Sequence, residues 1–376
     1  MKKYESAIII GFHWHDLLKG GRVVIKIGLM GCGVVASYGH IPVITASNEF
    51  ELTAIYEPDP ARTESLQLKY NIPVFTDAEA FFRADFEAVV ITSPAPCHYD
   101  NVMRAARYGK HVLCEKPLAT NEREAAEMIN VMKQNGLLLF TAFDYRFSPA
   151  AQTIKRIVKD GLIGEVRSMR LSYIWNLHGK YTNSEEPLQL NMRRSNRMLE
   201  GGPMVDCGVH QIDLARWWLD SEVTSYRSEG AWVDEYEASD HMYLHMKHAN
   251  GAHTMVEISY SYCFTAKEPV SHFTYHLIGT EGIVYYNREA KIFEMRNSTG
   301  TTPFPFAKEK NFPGMYEAFA KALESGSPKD VPTGTDGLIA TWIARTATED
   351  LIGRRGMPER SLTAINDPML QNQNQS

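Results

Sequence analysis

Cysteine is scarce in this sequence. The 376 residues include five cysteines, and no two of them have the C-x-x-C spacing of a structural zinc site. Small disulfide-stabilised proteins are far richer in cysteine than this chain. The scarcity of cysteine argues against a structural zinc site and against stabilising disulfide bonds. It favours a reducing compartment, so we expect a cytoplasmic protein.

Long apolar runs are missing as well. No stretch approaches the roughly 18 apolar residues of a transmembrane helix. The run AIIIGF at 7–12 is too short for a signal peptide and lacks a small-residue cleavage site. Residues 1–22 have no clear period and are interpreted as a loose leader, which a start assigned too far upstream would explain. His13 and His15 offer a metal site as an alternative, but a leader without structure fits the pattern better.

The chain also has no excess of positive charge. It holds 39 Lys and Arg against 45 Asp and Glu, a formal net charge of −6. That balance argues against a nucleic-acid partner and against binding to an anionic membrane. Hydrophobic residues make up 44% and charged residues 22%, as in ordinary globular proteins, and the length predicts two domains.

The first part of the chain alternates strand and helix patterns. Apolar strand candidates lie at 23–30, 50–56, 86–92, 111–115 and 136–143, with helices predicted at 59–70, 98–109 and 121–135. This rhythm predicts a parallel sheet with helices on both faces. We assign this α/β domain, with its doubly wound sheet, to residues 23–146.

A different rhythm begins near residue 147. Helices are predicted at 149–160, 204–219, 313–324 and 335–353, and strands at 164–175, 240–248, 252–262 and 271–279. The long strands alternate in polarity and are joined by turn residues, which favours antiparallel pairing. We predict an α+β domain over 147–360 with a large, mostly antiparallel open sheet, followed by a tail at 361–376.

A glycine turn follows the first strand. Gly31-Cys32-Gly33-Val34-Val35-Ala36 matches G-x-G-x-x-A and opens a predicted helix. The first glycine permits a tight turn, the second lets the backbone approach a pyrophosphate, and Ala36 allows close packing of helix and strand. Free N–H groups at the helix start favour phosphate, so we predict a dinucleotide-binding Rossmann domain.

The second strand ends in Glu57. A carboxylate there accepts hydrogen bonds from the adenosine ribose and repels a 2′-phosphate, which favours NAD over NADP. Arg62 weakens the argument, because it could reach back toward a phosphate. We expect NAD as the cofactor, with NADP the less favoured alternative.

Two further strand ends carry polar residues toward the same edge. The fourth strand ends in a segment with Ser93, Pro94 and His98, and the fifth ends in Glu115-Lys116. Parallel strands present their carboxyl ends together, and ligands bind in the crevice outside them. All five residues are therefore candidate cofactor contacts.

A second constellation lies in the segment 200–218. Asp206 and His210 are four residues apart in a predicted helix, so they share one face, and a carboxylate beside an imidazole fixes its tautomer. Asp213 could instead pair with Arg216. Zinc bound by Asp206, His210 and His98 is disfavoured, since no cysteine lies at ligand spacing, and we expect no metal.

Together these motifs resemble the glucose–fructose oxidoreductase / inositol dehydrogenase (Gfo/Idh/MocA) family. The resemblance spans roughly 24–355 and rests on the glycine turn, Glu115-Lys116-Pro117, YRFSP at 145–149, GLIGEV at 161–166, the G-G-x-x-x-D-x-G-x-H run and IGTEG at 278–282. It implies NAD(P)-dependent hydride transfer on a sugar, cyclitol or similar polyol. It also implies that the open sheet mediates dimers or tetramers.

The resemblance carries residue roles with it. It implies a catalytic set of Lys116, Asp206 and His210, and a nicotinamide-ribose contact for Glu115. We add two substrate-binding candidates, Arg146 from YRFSP and Tyr173 from the strand at 164–175. The chain departs from the family at Ala95, where members often have Asn, and at Met192-Arg193-Arg194, where many have Trp-Arg, so the substrate does not transfer.

The resulting hypothesis is an NAD-dependent dehydrogenase that oxidises a secondary hydroxyl. His210, oriented by Asp206, is our first choice of base; Lys116 is the alternative, because burial and the cationic nicotinamide would lower its pKa. Two rival functions stay open: a redox-assisted glycoside hydrolase that retains NAD, and a non-catalytic nucleotide sensor. The alternating strands at 240–262 further predict a homodimer or homotetramer through the C-terminal sheet.

Overall fold

The computed structural model describes residues 24–177, 192–263, 265–329 and 331–355. The predicted leader at 1–22 and tail at 361–376 lie outside the described residues. Within the described ranges, no helix combines the length and apolar character needed to cross a membrane.

The N-terminal sheet is parallel and has the strand order β3-β2-β1-β4-β5-β6. Its strands are β1 (Ile25–Met30), β2 (Phe50–Tyr56), β3 (Val74–Phe75), β4 (Ala88–Ile91), β5 (His111–Cys114) and β6 (Leu139–Thr141). The order reverses between β1 and β4, which is the switch point at which a doubly wound sheet binds its ligand. The predicted α/β class is confirmed, and β3, two residues long, is the strand of this sheet that the sequence pattern missed.

Helices cover both faces of this sheet. They are a π-helix (Ala36–His40) continuing into α1 (Ile41–Ala46), then α2 (Pro60–Tyr70), α3 (Ala78–Phe82), α4 (His98–Arg107) and α5 (Glu122–Gln134). Side-chain caps explain several starts, since Asp59 accepts from the N–H of Ala61 and Asn121 from that of Glu124. The observed α2, α4 and α5 lie within the predicted helix ranges.

The C-terminal sheet has eight strands in the order β14-β13-β12-β11-β7-β10-β9-β8. They are β7 (Val166–Ile174), β8 (Val223–Ala231), β9 (His241–His248), β10 (His253–Ser259), β11 (His272–Gly279), β12 (Gly282–Asn287), β13 (Ile292–Asn297) and β14 (Gly300–Pro303). Only β7 and β10 pair in parallel, so the mostly antiparallel class is confirmed. Strands β10 and β11 are not neighbours, because β7 inserts between them.

One face of this sheet packs on helices of the same half. These are α6 (Pro149–Lys159), α7 (Met192–Leu199), a π-helix (Met204–Gly208) continuing into α8 (Val209–Leu219), and the last helix, α10 (Gly334–Arg354). The helix before it, α9 (Phe312–Ser325), packs elsewhere. Met242, Leu244 and Met246 of β9 point into the core with Val256 and Ile258 of β10. The alternate residues form the outer face, as the period of two predicts.

Helix α9 returns to the N-terminal half. Phe319 stacks on Phe50 of β2, with ring centroids 5.8 Å apart, and meets Phe140 of β6 edge-on at 5.4 Å. Tyr316 and Phe312 join the same buried cluster. The boundary near residue 146 stays a prediction, and the core of the N-terminal half includes this helix from far beyond it.

Candidate active site

The glycine turn after β1 is built for close approach. Gly31 has φ of +91°, and a Cβ there would lie 2.8 Å from the backbone nitrogen of Ser93, so only glycine fits without strain. Gly33 is exposed, and a Cβ there would meet no atom within 4 Å. Val34 is also exposed and Ala36 is buried, with Val35 between them at intermediate exposure. The turn therefore has an open side on which a bulky group can lie against the backbone.

The acid at the end of β2 is already paired. Glu57 is buried, and its Oε2 lies 3.0 Å from Nη1 of Arg62. Arg62 also donates from Nη2 to the carbonyl oxygen of Cys32, at 2.7 Å. The guanidinium of Arg62 thus links the acid to the glycine turn, and both predicted selectivity residues lie beside the predicted dinucleotide site.

The end of β4 contains one residue whose predicted role the geometry does not favour. His98 is buried, with Nδ1 3.0 Å from the carbonyl oxygen of Pro117 and Nε2 2.8 Å from that of Ser93. Its ring ties two loops together and has no nitrogen left for a cofactor, which corrects the assignment. Ser93 is half-buried and its Oγ accepts from Asn101 at 3.0 Å, while Pro94 is exposed.

Glu115 connects three elements at the end of β5. Its Oε1 lies 2.9 Å from Nε2 of His40, whose Nδ1 lies 2.8 Å from the hydroxyl of Tyr316 on α9. Burial acts to raise the pKa of Glu115, but the hydrogen bond from His40 and the charge of Lys116 hold it below its usual range. Glu115 is therefore an ionised, fixed carboxylate beside the lysine.

Asp206 lies at the centre of the ionic contacts. Lys116 donates from Nζ to the Asp206 carboxylate at 2.8 Å and to the Asp206 carbonyl oxygen at 2.6 Å. The second carboxylate oxygen accepts from the hydroxyl of Tyr260 and lies 3.0 Å from Nη1 of Arg197. The two halves of the molecule meet at this carboxylate, since Lys116 follows β5 and Asp206 lies in the second π-helix.

These contacts fix the charges of the pair. Burial acts to lower the pKa of Lys116, but the Asp206 carboxylate outweighs it and raises that pKa above the ordinary lysine value. Burial acts to raise the pKa of Asp206, and Lys116 with Arg197 lowers it well below its usual range. The expectation that Lys116 has a lowered pKa is wrong here, because that argument omitted a buried carboxylate in contact with Nζ.

His210 is held by aromatic rings rather than by Asp206. Its ring stacks on that of Tyr145, with centroids 4.0 Å apart and planes 9° apart, and meets Phe143 edge-on. Its Nδ1 is buried and has no hydrogen-bond partner among the described residues. The predicted carboxylate–imidazole hydrogen bond is absent from the described contacts, because the π-helix changes the spacing on which the i, i+4 argument relied.

The environment of His210 keeps its ring neutral. Burial is the main reason that its pKa lies well below the usual histidine value, and the nearby ammonium groups of Lys116 and Lys310 add to the effect. A neutral imidazole can accept a proton, whereas Lys116 is already protonated. The site therefore combines a fixed cation with a neutral base.

Arg146 does not face this site. Its Nε donates to Oδ2 of Asp213 at 2.7 Å, and its Nη2 contacts both Asp213 and Asp336. The predicted role of Arg146 as a substrate ligand is thus disfavoured. The alternative pairing of Asp213 with Arg216 is also wrong, because Arg216 pairs with Glu222 and Asp336 instead. The two ion pairs of Arg146 connect the 3₁₀ turn Asp144–Phe147 with α8 and α10 behind the site.

Tyr173 remains a substrate candidate by position. Its ring is half-buried and stacks on that of Trp175 at 5.7 Å and 8°. Trp175 in turn meets Tyr260, the residue that donates to Asp206. An aromatic wall therefore extends from the ionic centre along the end of β7.

The sequence patterns missed three residues of this site. Arg197 and Tyr260 bind Asp206, and Lys310 comes from the segment before α9. The cluster of arginines before Gly201 was a usable signal for Arg197, and the alternation in the predicted strand 252–262 placed Tyr260 on the same face as Val256 and Ile258. Lys310 had no local signal, because only long-range folding brings it to the glycine turn. Among the described residues, no group of His, Cys, Asp and Glu is arranged to hold a metal ion.

Both halves of the chain match models of one protein family. Residues 25–143 match the model described as an oxidoreductase family with an NAD-binding Rossmann fold, and residues 151–285 match the GFO/IDH/MocA C-terminal domain. The chain belongs to the Gfo/Idh/MocA family. The resemblance seen in the sequence is confirmed, and the chain is an NAD(P)-dependent oxidoreductase.

Relatives and solved structures agree with this membership. Inositol 2-dehydrogenase of Rhizobium meliloti (strain 1021) is 25% identical over 345 residues, covering 89% of this chain and 98% of the relative. A scyllo-inositol 2-dehydrogenase (NADP(+)) of Bacillus subtilis (strain 168) is 34% identical over 166 residues, 44% of this chain and 49% of that protein. An oxidoreductase from Agrobacterium radiobacter, solved with NAD+, L-tartaric acid and magnesium, has a TM-score of 0.74 at 20% identity, covering 89% of this chain and 98% of that one.

The residues of this Gfo/Idh/MocA protein fit a dinucleotide. The open side of Gly33 would admit the diphosphate, the N-terminal turn of the following helix offers N–H groups, and Glu57 stands at the end of β2 for a ribose. The nicotinamide would supply the hydride acceptor beside Lys116 and His210.

The glycine turn yields a direct test of this fit. Gly33→Ala should leave the thermal midpoint unchanged, because its Cβ meets no protein atom, yet weaken NAD binding by on the order of tenfold or more by blocking the diphosphate. Isothermal titration with NAD measures the effect. Gly353→Ala, equally open but far along α10, is the matched control and should bind normally. Normal NAD affinity in Gly33→Ala would place the diphosphate elsewhere.

Proposed function

We propose that this protein is an NAD-dependent dehydrogenase that oxidises a secondary hydroxyl of a sugar, sugar derivative or cyclitol. The observation that carries the proposal is that a fixed ammonium, Lys116 after β5, lies within electrostatic range of a neutral buried imidazole, His210 of α8. Oxidation of an alcohol by hydride loss requires removal of the hydroxyl proton, and these groups divide that task.

Lys116 acts as a hydrogen-bond donor in this proposal. An ammonium has three N–H donors, and the contacts to Asp206 use two of them. The third is available for the substrate oxygen, where a fixed positive charge stabilises developing alkoxide. Asp206 keeps Lys116 protonated and oriented, and Arg197 and Tyr260 hold Asp206 in turn.

His210 accepts the hydroxyl proton. Stacking on Tyr145 and the edge-on contact with Phe143 fix the plane of the ring, so the accepting nitrogen has a defined direction without a carboxylate partner. Bound cofactor would accept the hydride from the adjacent carbon. Lys116 and Asp206 keep their charges during this step. The proton from the hydroxyl goes to the imidazole of His210, which becomes positively charged.

The substrate class follows from the relatives and the aromatic wall. The relatives include enzymes named for inositol and scyllo-inositol, which are ring polyols with many secondary hydroxyls. Stacked Tyr173 and Trp175 offer flat apolar surface beside the ionic centre, which suits the C–H face of a sugar or cyclitol ring.

Removing either catalytic residue tests the proposal. Wild-type protein with NAD should reduce the cofactor with at least one member of a panel of cyclitols and sugars, followed at the NADH absorbance. On that substrate, Lys116→Ala and His210→Ala should each lower kcat by on the order of 100-fold or more, with NAD affinity largely kept.

The pH dependence of kcat/KM gives a second test. Its acid limb should lie below pH 6.5, because activity needs neutral His210 and the pKa of His210 is lowered.

Matched controls come from exposed residues of the same types. Lys26→Ala lies on β1 and pairs with Asp85, and His276→Ala lies on the outer face of the C-terminal sheet; both should keep wild-type turnover. Near-normal turnover in Lys116→Ala or His210→Ala would refute the role of that residue. Aglycone release from glycosides without net NADH would instead favour a redox-assisted hydrolase.

We infer a preference for NAD from Glu57. Its buried carboxylate would accept ribose hydroxyls, and its charge opposes a 2′-phosphate. Arg62, 3.0 Å away, partly offsets that charge, which tempers the preference. Relatives of this chain are named for both cofactors, so the proposed preference rests on this residue pair.

Replacing the acid tests the preference. Wild-type protein should bind NAD more tightly than NADP by calorimetry, and Glu57→Ser should narrow that ratio by on the order of tenfold, since it removes one repelling charge. Glu51→Ser, an exposed acid on the same strand, should leave the ratio unchanged. Tighter binding of NADP to the wild-type protein would contradict the inference.

We further propose a homodimer, or a tetramer built from it, that pairs the outer faces of two C-terminal sheets. That face is mostly half-buried in one chain and mixes aromatic, histidine and aliphatic side chains, including Tyr243, Met255 and the exposed Ile278 and Ile283. Such a mixture suits a buried interface. The free cysteines fit a reducing cytoplasm as the location of this assembly.

Light scattering measures the assembly. Wild-type protein at micromolar concentration should have a mass of two or four chains, each of 42.5 kDa. Ile278→Glu should reduce the mass to one chain, because it places a charge in the middle of the proposed contact. Leu68→Glu, on the exposed surface of α2, should not change it. A wild-type mass of one chain would refute the interface.

A further inference from the structure

Lys310 brings a cation from the C-terminal half to the helix that follows the glycine turn. Its Nζ donates to the hydroxyl of Tyr38 at 2.8 Å, and the ammonium lies over the Tyr38 ring, 5.0 Å from its centroid. Tyr38 belongs to the π-helix Ala36–His40, only five residues beyond Gly33. The contact therefore places Lys310 beside the predicted diphosphate site, although it is 277 positions beyond Gly33 in the chain.

Residues on both sides of Lys310 hold this position. The side chain of Asn311 caps α9 by accepting from the N–H of Gly314, and its Nδ2 donates to the carbonyl oxygen of Phe147 at 2.7 Å. Glu309 is buried, and its Oε1 lies 2.9 Å from Nη1 of Arg288. The backbone around Lys310 is thus fixed between α9 and the turn at 144–147, while its own side chain extends toward Tyr38.

The charge of Lys310 is not neutralised by a neighbour. No carboxylate lies within salt-bridge distance of its Nζ in the described ranges. The carboxyl whose charge would act on Lys310, that of Asp144, is buried with Oδ2 unpartnered among the described residues, and burial raises its pKa to about 8. At neutral pH Asp144 is therefore largely uncharged, and Lys310 remains a cation next to a hydroxyl rather than next to an anion.

Lys310 also lies within electrostatic range of the catalytic end. Its charge acts on His210, and that of Lys116 acts on it in turn. Lys310 touches the helix after the glycine turn and lies within electrostatic range of Lys116. It is therefore located between the two ends of the cleft. The nicotinamide-side phosphate of a dinucleotide must cross this interval to bring the ring to His210.

We propose that Lys310 binds the diphosphate of the dinucleotide, as a cationic ligand that the C-terminal half supplies and Tyr38 orients. Lysine binds phosphate as a point charge, and here it complements the neutral N–H groups of the glycine turn. The cofactor site is then completed only when the C-terminal half is folded onto the sheet. This inference depends on dinucleotide binding and not on which alcohol is oxidised.

Calorimetric titration with ADP-ribose tests the proposal without any turnover. Lys310→Met should weaken ADP-ribose binding by on the order of tenfold or more, and NADH to the same degree, because one charge-assisted contact to phosphate is lost. Adenosine, which has no phosphate, should bind the variant and the wild type equally. Lys310→Arg should retain most of the affinity, since it keeps the charge.

Lys308→Met is the matched control, because Lys308 is exposed and only two residues away. It should bind ADP-ribose like the wild type, and all variants should share one thermal midpoint. Unchanged ADP-ribose affinity in Lys310→Met would overturn the proposal, and so would an equal loss of adenosine affinity, which would indicate a distortion of the adenosine site. A protein that oxidised no polyol but showed the expected ADP-ribose pattern would refute the dehydrogenase proposal and leave this one standing.

Discussion

The ion pair between Lys116 and Asp206 is the interaction on which the rest of the site depends. It joins residues 90 positions apart in the chain and connects the end of β5 with the π-helix Met204–Gly208. Both side chains are 17% exposed, so each charge would be costly without the other; breaking such a pair typically costs about 3–5 kcal/mol. The pair keeps Lys116 protonated, and the lysine charge in turn helps to keep His210 neutral. The Asp206 carboxylate thus fixes the protonation of Lys116, whereas His210 is kept neutral mainly by its burial.

Local patterns predicted the parts of the site that depend on local backbone. The glycine turn, the acid after β2 and the Glu115-Lys116 pair after β5 follow from the geometry of strand ends, which is common to parallel sheets. Partners across long distances were not predictable in this way. Spacing in the sequence suggested that Asp206 faces His210, whereas the fold pairs Asp206 with Lys116, Arg197 and Tyr260. Arg146 shows the same limit, because its carboxylate partners lie 67 and 190 positions away.

The fold class was accessible for a related reason. Long apolar strands and amphipathic helices can be recognised from the spacing of their hydrophobic residues. Both sheets were therefore predicted in the correct class. The missed strands are β3, with two residues, the largely exposed β8 and β14, and β12 and β13, which are only six residues long. The pairing of β7 with β10 was also not predicted. Parallel strands are joined by a long crossover connection, which no turn residues in the sequence indicate.

The packing of α9 on the N-terminal sheet affects how the protein folds during its synthesis on the ribosome. Phe319 and Tyr316 fill the space between β2, β6 and α1, so the nascent N-terminal half leaves the ribosome with an unfilled apolar surface. At about 5–20 residues per second, the roughly 170 residues between β6 and α9 take about 9–34 s to synthesise. During that interval the Rossmann sheet is exposed to other nascent chains and to chaperones, and its completion waits for nearly the whole polypeptide. The order of translation and the order of packing are therefore different in this molecule.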